Sequence, residues 1–218
     1  MAKFFIFKRI VLVSFMLPLL SGCDMVPITG RSQLNLIPDS TVNGMASEEY
    51  TKFLKENKLS TDQVKIDQVK SVGYRVTEAV ERYCQENDMS QAVAGFSWEF
   101  NVIESKEMNA WCMPGGKVVI YTGILPITQD DAGLAVVMSH EIAHAVARHG
   151  SERMSQGLLY DLGGMALSEA IKTNPAATQK LFMQSYGMGA QYGILLPYSR
   201  LHETEADRMG LIFMAMAG

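Results

Sequence analysis

The segment MSHEIAHAVARHG, residues 138–150, constrains this 218-residue chain more than any other. On a helix, residues four apart share a face, one turn up. His140 and His144 therefore direct two imidazoles toward one point, and Glu141, next to the first, faces the same side. Ala135, Val136, Val137, Ile142, Ala143, Val146 and Ala147 make the helix apolar over most of its girth. A buried helix that keeps His and Glu side chains without partners is costly. The fold must bring further polar groups onto this helix from elsewhere in the chain.

Converging imidazoles are donors of the kind zinc takes at about 2.0–2.1 Å in a tetrahedral set. His140 and His144 are thus candidate zinc ligands, and Glu141 sits where a general base for an activated water belongs. A catalytic site of this kind needs a third protein donor. The stretch SRLHETEADRMG, residues 199–210, offers one. Glu203 and Asp207 are four apart and share a helix face. Glu203 is the favoured third ligand, and Asp207 is placed to accept the free ring N–H of a ligating histidine and fix its tautomer. His202 and Glu205 are the rivals for the third position, although each points roughly 100° or more away from that face. His149, five residues past His144, reads as a helix-end cation near the C-terminal dipole.

The N-terminus has the shape of a targeting leader. Lys3, Lys8 and Arg9 precede an apolar run, residues 10–20, that is short for a membrane span, and small residues follow. An uncleaved N-terminal anchor is the other reading. Leu20-Ser21-Gly22-Cys23 resembles a bacterial lipobox, which makes Cys23 a candidate for lipidation and the membrane a partner through that lipid. Loss of the leader removes three basic residues and leaves the chain more acidic than its formal charge of −4. With no basic run beyond the leader, no nucleic-acid partner is expected. Cys84 and Cys112 remain, either as a disulfide of an oxidising compartment or as two buried thiols.

Hydrophobic content of 48% with 19% charged residues supports a packed core. Residues 24–44, rich in turn formers, read as a tether and lead-in loop. Apolar residues at helical spacing predict two helices between Ser47 and about Gln85, broken near Asn57 to Thr61. FSWEFNVIE, residues 96–104, alternates as a strand does, and residues 109–125 hold two β-like runs around Pro114-Gly115-Gly116. Thr128 to Asp131 resemble an N-cap box that opens a helix running to about Gln156. Further helices follow, with a loop at Thr173 to Pro175 and a last helix from near Ser199. The pattern is that of an α+β chain, mainly helical. The division expected is a leader over 1–22, a lipid-anchored tether over 23–46 and one domain over 47–218.

H-E-x-x-H followed by S-R-x-x-E-x-x-A-D resembles the M-48 family of zinc metallopeptidases. That family includes CAAX prenyl-protein endopeptidases, a bacterial heat-shock membrane protease, a mitochondrial inner-membrane stress protease and periplasmic lipoprotein proteases. VPITGRSQLNLIPDS after the lipobox is similar to the opening of the periplasmic lipoprotein branch, and Asn109-Ala110, Pro114-Gly115-Gly116 and YTGIL to the family's strand before the active helix. The resemblance implies a zincin-like metallopeptidase domain with a small β-sheet beside the active-site helix, one Zn2+ on His140, His144 and Glu203, Glu141 as base and Asp207 behind the ligands. It further implies that Asn109 and Ala110 belong to an edge strand that binds extended polypeptide substrates by β-augmentation; an ordinary turn is the plainer reading of those two residues. Misfolded envelope proteins at the periplasmic face of a bacterial membrane are the implied clients. Asp24 resembles an inner-membrane retention signal, although the membrane, inner or outer, stays open. Members of the branch continue past the E-x-x-A-D helix, so a longer natural chain is expected. Two other functional classes stay open: a zinc-containing, chaperone-like binding module, and an envelope lipoprotein with an accidental motif.

Overall fold

The computed structural model describes residues 23–160, 166–186 and 199–218. The expected leader and residues 161–165 and 187–198 lie outside the described residues. The chain begins with β1 (Cys23–Met25) and β2 (Ser32–Leu34), then α1 (Asp39–Glu56) and α2 (Gln63–Glu86). A small sheet follows, made of β3 (Glu99–Ile103), β4 (Ala110–Met113) and β5 (Lys117–Tyr121). After the one-turn α3 (Leu125–Thr128) come α4 (Asp131–Val146), α5 (His149–Tyr160), α6 (Leu167–Thr173), α7 (Pro175–Ser185) and α8 (Ser199–Ala217). The mainly helical α+β class expected from sequence is the observed one.

The sheet has the order β3-β5-β4, with β3 parallel and β4 antiparallel to β5. Ala110 faces Ile120 and Met113 faces Lys117 across the β4–β5 ladder. The turn between them is Pro114-Gly115-Gly116, where both glycines take positive φ, 77° and 85°, a region that costs other residues. The segment before α2 runs beside β3, where Ser60 N–H donates to Val102 O at 2.8 Å. Among the described strands, β4 is therefore the sheet edge left unpaired.

Side chains alternate across a strand, and β5 uses both faces. Val118 and Ile120 enter one core with Val69, Val72, Val76 and Val80 of α2, Leu134, Met138 and Ile142 of α4, and Met209 and Phe213 of α8. Val119 and Tyr121 enter a second core with Val42, Ala46 and Tyr50 of α1, Met154 and Leu158 of α5, and Leu181 and Phe182 of α7. Each fully buried aliphatic side chain contributes about 1.5–3 kcal/mol. The N-termini of α2 and α4 are fixed by carboxylate caps: Asp62 accepts from Val64 and Lys65, and Asp130 accepts from Gly133. Cys84 and Cys112 are buried free thiols in the first core.

Two expectations need correcting. Residues 24–44 are not a loop: they hold β1, β2 and the start of α1, where Val42 and Ala46 are buried. Asp39, Ser40, Thr41, Asn43 and Gly44 are poor helix formers, and burial of the apolar pair overrides that preference. Nor does one helix run to Gln156. It stops at Val146, Arg148 takes φ 58°, and α5 starts afresh at His149. A non-glycine residue at positive φ is strained by about 1–3 kcal/mol. Here two ion pairs hold it, from Arg148 Nη1 to Asp24 (3.0 Å) and from Nη2 to Asp39 (2.9 Å). No helix among the described residues is long and apolar enough to cross a membrane.

Helix α8 lies directly on α4. A Cβ added to Gly210 would stand 3.1 Å from His140 N and 3.2 Å from its Cα, tighter than ordinary packing. Gly210→Val should cost about 1–3 kcal/mol by overpacking this crossing, read from urea denaturation of the full chain. Wild-type stability in that variant would mean that the helices have room to spare there.

Candidate metal centre and catalytic cleft

The crossing of α4 and α8 brings the sequence-predicted donors together. His140 Nε2 lies 3.2 Å from Glu203 Oε2, and His144 Nε2 lies 3.5 Å from Glu203 Oε1. The two Nε2 atoms are 3.1 Å apart. One donor atom from each of the three residues falls within 4.8 Å of the others. A tetrahedron with bonds of about 2.0–2.1 Å has edges of about 3.3 Å, so the spacing of these donors fits a zinc ion. Their chemistry fits as well. Two imidazole lone pairs and a carboxylate that converge on one point repel unless a proton or a cation stands between them.

Without a cation the three groups compete for protons. Hydrogen bonds from His140 and then His144 hold the Glu203 carboxyl far below the usual range. The Glu203 hydrogen bond pushes His140 up, whereas burial pushes His144 down. Asp207 Oδ1 sits 2.9 Å from His140 Nδ1, where it accepts the ring proton, so that Nε2 is the nitrogen left to ligate once a cation replaces the proton shared with Glu203. The spacing of Asp207, one turn on from Glu203, places it there.

Glu141 faces the same cleft. Burial pushes its carboxyl up from 4.5 to about 7; Glu203 pushes further in that direction, and His140 and Arg153 push back. A carboxylate tuned near neutrality is suited to take a proton and return it. The cleft, about 200 Å³, has Asn109, Ala110, Trp111 and Cys112 of the unpaired edge on one side and Arg153 and Tyr186 on another. Asn109 Oδ1 accepts from Ala110 N–H at 2.9 Å, and Asn109 O accepts from Tyr121 N–H at 3.1 Å, which fixes the start of β4.

Several residues behind the site escaped the sequence reading. His149 is no helix-end cation. It is fully buried at the first position of α5, and desolvation drives its pKa far down and keeps it neutral. The expectation assumed an unbroken helix, and the break at Arg148 turns the ring inward, 2.9 Å from His144 Nδ1. His202 and Glu205, the rivals for the third ligand, point away from the donors into a buried network. His202 Nε2 lies 3.0 Å from Glu152 Oε2, and Glu205 accepts from Arg31 Nε at 2.7 Å and from Thr29 Oγ1 at 2.5 Å. Arg31 also grips Glu152 through both terminal nitrogens, at 3.0 and 2.7 Å. Burial pushes Glu152 up, but hydrogen bonds from His202 and Arg31 outweigh it and hold the carboxylate low. Arg153 is fixed by donation from Nε to Ser185 O at 2.7 Å, and Tyr186 by a 3.0 Å contact with Ser151 Oγ. Neither Arg153 nor Tyr186 carries a periodicity or motif that marks it as a cleft residue.

Residues 73–218 match the profile of Peptidase family M48. The chain is 32% identical over 197 residues to Mitochondrial metalloendopeptidase OMA1 of Schizosaccharomyces pombe, covering 89% of this chain and 53% of that protein. Against Metalloendopeptidase OMA1, mitochondrial, of Homo sapiens it is 31% identical over 199 residues, 89% of this chain and 37% of the other. Against the Putative beta-barrel assembly-enhancing protease of Vibrio cholerae it is 28% identical over 178 residues, 78% and 34% of the two chains. The chain thus spans about half the length of these relatives, or less.

The raised pKa of Glu141 has a consequence for stability whose sign can be measured. In the metal-free protein its folded value, about 7, exceeds its ordinary 4.5, so the folded state binds the extra proton between those limits. That contribution to stability is fully present below about 4.5 and is lost as pH rises through about 7. Urea melts of the chelated protein should show Glu141→Gln gaining on the wild type across that window. A difference that stays constant with pH would give Glu141 an ordinary acidity.

Proposed function

Because this chain belongs to peptidase family M48, we propose that it is a zinc-dependent endopeptidase anchored to the periplasmic face of a bacterial membrane. The observation that carries the proposal is the three-donor cluster of His140, His144 and Glu203, with Glu141 in the same cleft beside an unpaired strand edge. His140, His144 and Glu203 would hold the metal. Bound there, zinc supplies acidity to a water and polarisation to the scissile carbonyl.

The protein's own groups do the rest. An extended polypeptide adds to the free edge of β4 at Asn109 and Ala110, where main-chain hydrogen bonds bind with little demand on sequence. That edge lines the cleft, so the added strand lies along Glu141. Glu141 accepts a proton from the attacking water and then delivers it to the departing amine nitrogen. Burial opposes its charge in the metal-free site and so favours the proton's return. Asp207 keeps the proton of His140 on Nδ1 throughout.

Misfolded envelope proteins are the clients we favour, a reading supported by the name of the Vibrio cholerae relative. The anchor would be lipid on Cys23. Cys23 opens β1, so a lipid there would leave the folded domain against the bilayer with almost no spacer.

Glu141→Gln should retain one zinc per chain and lose about 10²–10⁴-fold in the cleavage of unfolded casein. Cleavage at the wild-type rate would remove Glu141 from the mechanism; zinc bound without turnover in the wild type would favour a holding module instead. Replacing Cys23 with Ser should move the protein from the membrane fraction to the soluble periplasm, and an unchanged distribution would exclude the lipid as its anchor.

A further inference from the structure

We infer that His149 is a positioning residue for the metal, holding the His144 ring in the one tautomer and rotation that leave Nε2 bare toward the cation, with Glu205 and Arg31 as the fixed charges behind it. The inference rests on the zinc reading of His144 given above.

The protons can be placed from either end of the chain of contacts. At the near end, His144 Nε2 faces His140 and Glu203. A ligating nitrogen carries no proton, so the proton of His144 must be on Nδ1. That atom lies 2.9 Å from His149 Nδ1, which must then accept. At the far end, His149 Nε2 lies 3.3 Å from Glu205 Oε2. Glu205 already accepts from Arg31 Nε and Thr29 Oγ1, and an ionised carboxylate only accepts. His149 must therefore donate from Nε2, which again leaves Nδ1 as the acceptor. Both ends require the same tautomer of His149. The opposite tautomer would place a proton on His144 Nε2, pointing into the metal site.

The ring has little freedom to leave this arrangement. His149 is 0% exposed and stacks on His202 at 4.3 Å between centroids and 11° between planes. His202 is itself held by Glu152, and Arg31 grips both Glu152 and Glu205. The two ligands are thus supported differently. His140 leans directly on Asp207, whose side chain is 70% exposed. His144 leans through a neutral ring on Glu205, whose side chain is 6% exposed. A carboxylate behind a ligating histidine orients the ring and raises its basicity, and a buried one is less screened by water.

The test uses the full chain with zinc as the ligand. His149→Leu fills similar space but offers no hydrogen bond, and should weaken zinc about 10–100-fold in competition with a chelator. His149→Gln can accept from His144 through its amide oxygen and donate to Glu205 through its amide nitrogen, so it should recover most of that loss. A purely structural role would give no such rescue. The chain has only four histidines, so 15N-histidine NMR of the zinc-loaded wild type can resolve each ring. It should show His149 protonated on Nε2 and bare on Nδ1, whether or not the Leu variant folds. Zinc held as tightly by His149→Leu as by the wild type, or a proton on His149 Nδ1, would overturn the inference and leave the metal reading standing. A wild type that takes up no stoichiometric zinc would overturn the metal reading beneath it.

Discussion

The approach of α8 to α4 at Gly210 governs the position of every donor in the site. Glu203, Asp207 and Gly210 recur at spacings of four and three, so they line one face of α8. The glycine allows the backbones to touch, and the two carboxylates above it then reach the imidazoles of α4 at 2.9–3.5 Å. A larger side chain at the contact would lift the whole stripe and open the cluster at its narrowest point. Neighbouring elements hold the pair in place. Helix α2 and β5 pack into the same core as α4 and α8, so the crossing cannot relax without exposing Val76, Val80, Met138 and Phe213.

Charge is arranged in layers around that contact. Nearest the cleft are two imidazoles, Glu203, whose carboxyl they hold low, and Glu141, whose carboxyl burial raises. Behind them the neutral ring of His149 separates the donors from an anionic pair, Glu205 and Glu152, that shares one guanidinium. The single arginine pairs with both carboxylates in a buried setting where an unpaired one would be costly. The hydrogen bond to Glu152, then that to Glu205, in turn raises the pKa of Arg31 above the usual guanidinium value. The arrangement places fixed negative charge behind the donors, while Arg153 stands across the cleft in front of them.

Much of this could be read along the chain because its signals are local. Helical spacing put His140 and His144 on one face, and Glu203 and Asp207 on another; the strand pattern at 96–104 and the turn at Pro114-Gly115-Gly116 announced β3, β4 and β5. What escaped depends on contacts distant in sequence. Nothing near Arg148 signals a stop, because its positive φ is sustained by Asp24 and Asp39 from the far end of the chain. The break turns His149 inward, where an unbroken helix would present it at the helix end. Residues 39–46 escaped for the converse reason: their helix is selected by the sheet on which Val42 and Ala46 rest, against local preference. Arg153 and Tyr186 reach the cleft only because α5 and α7 pack together, a pairing that no short pattern encodes.

The ladder formed by β1 and β2 also bears on where the catalytic unit begins. The match to the family profile opens at residue 73, yet Thr29 and Arg31 sit far upstream, in the turn and at the foot of that ladder. A fragment trimmed to the shared stretch would retain Glu152 and Glu205 but lose the guanidinium that neutralises them. The short ribbon of β1 and β2 thus delivers an internal counter-ion from upstream of the segment that matches the family profile.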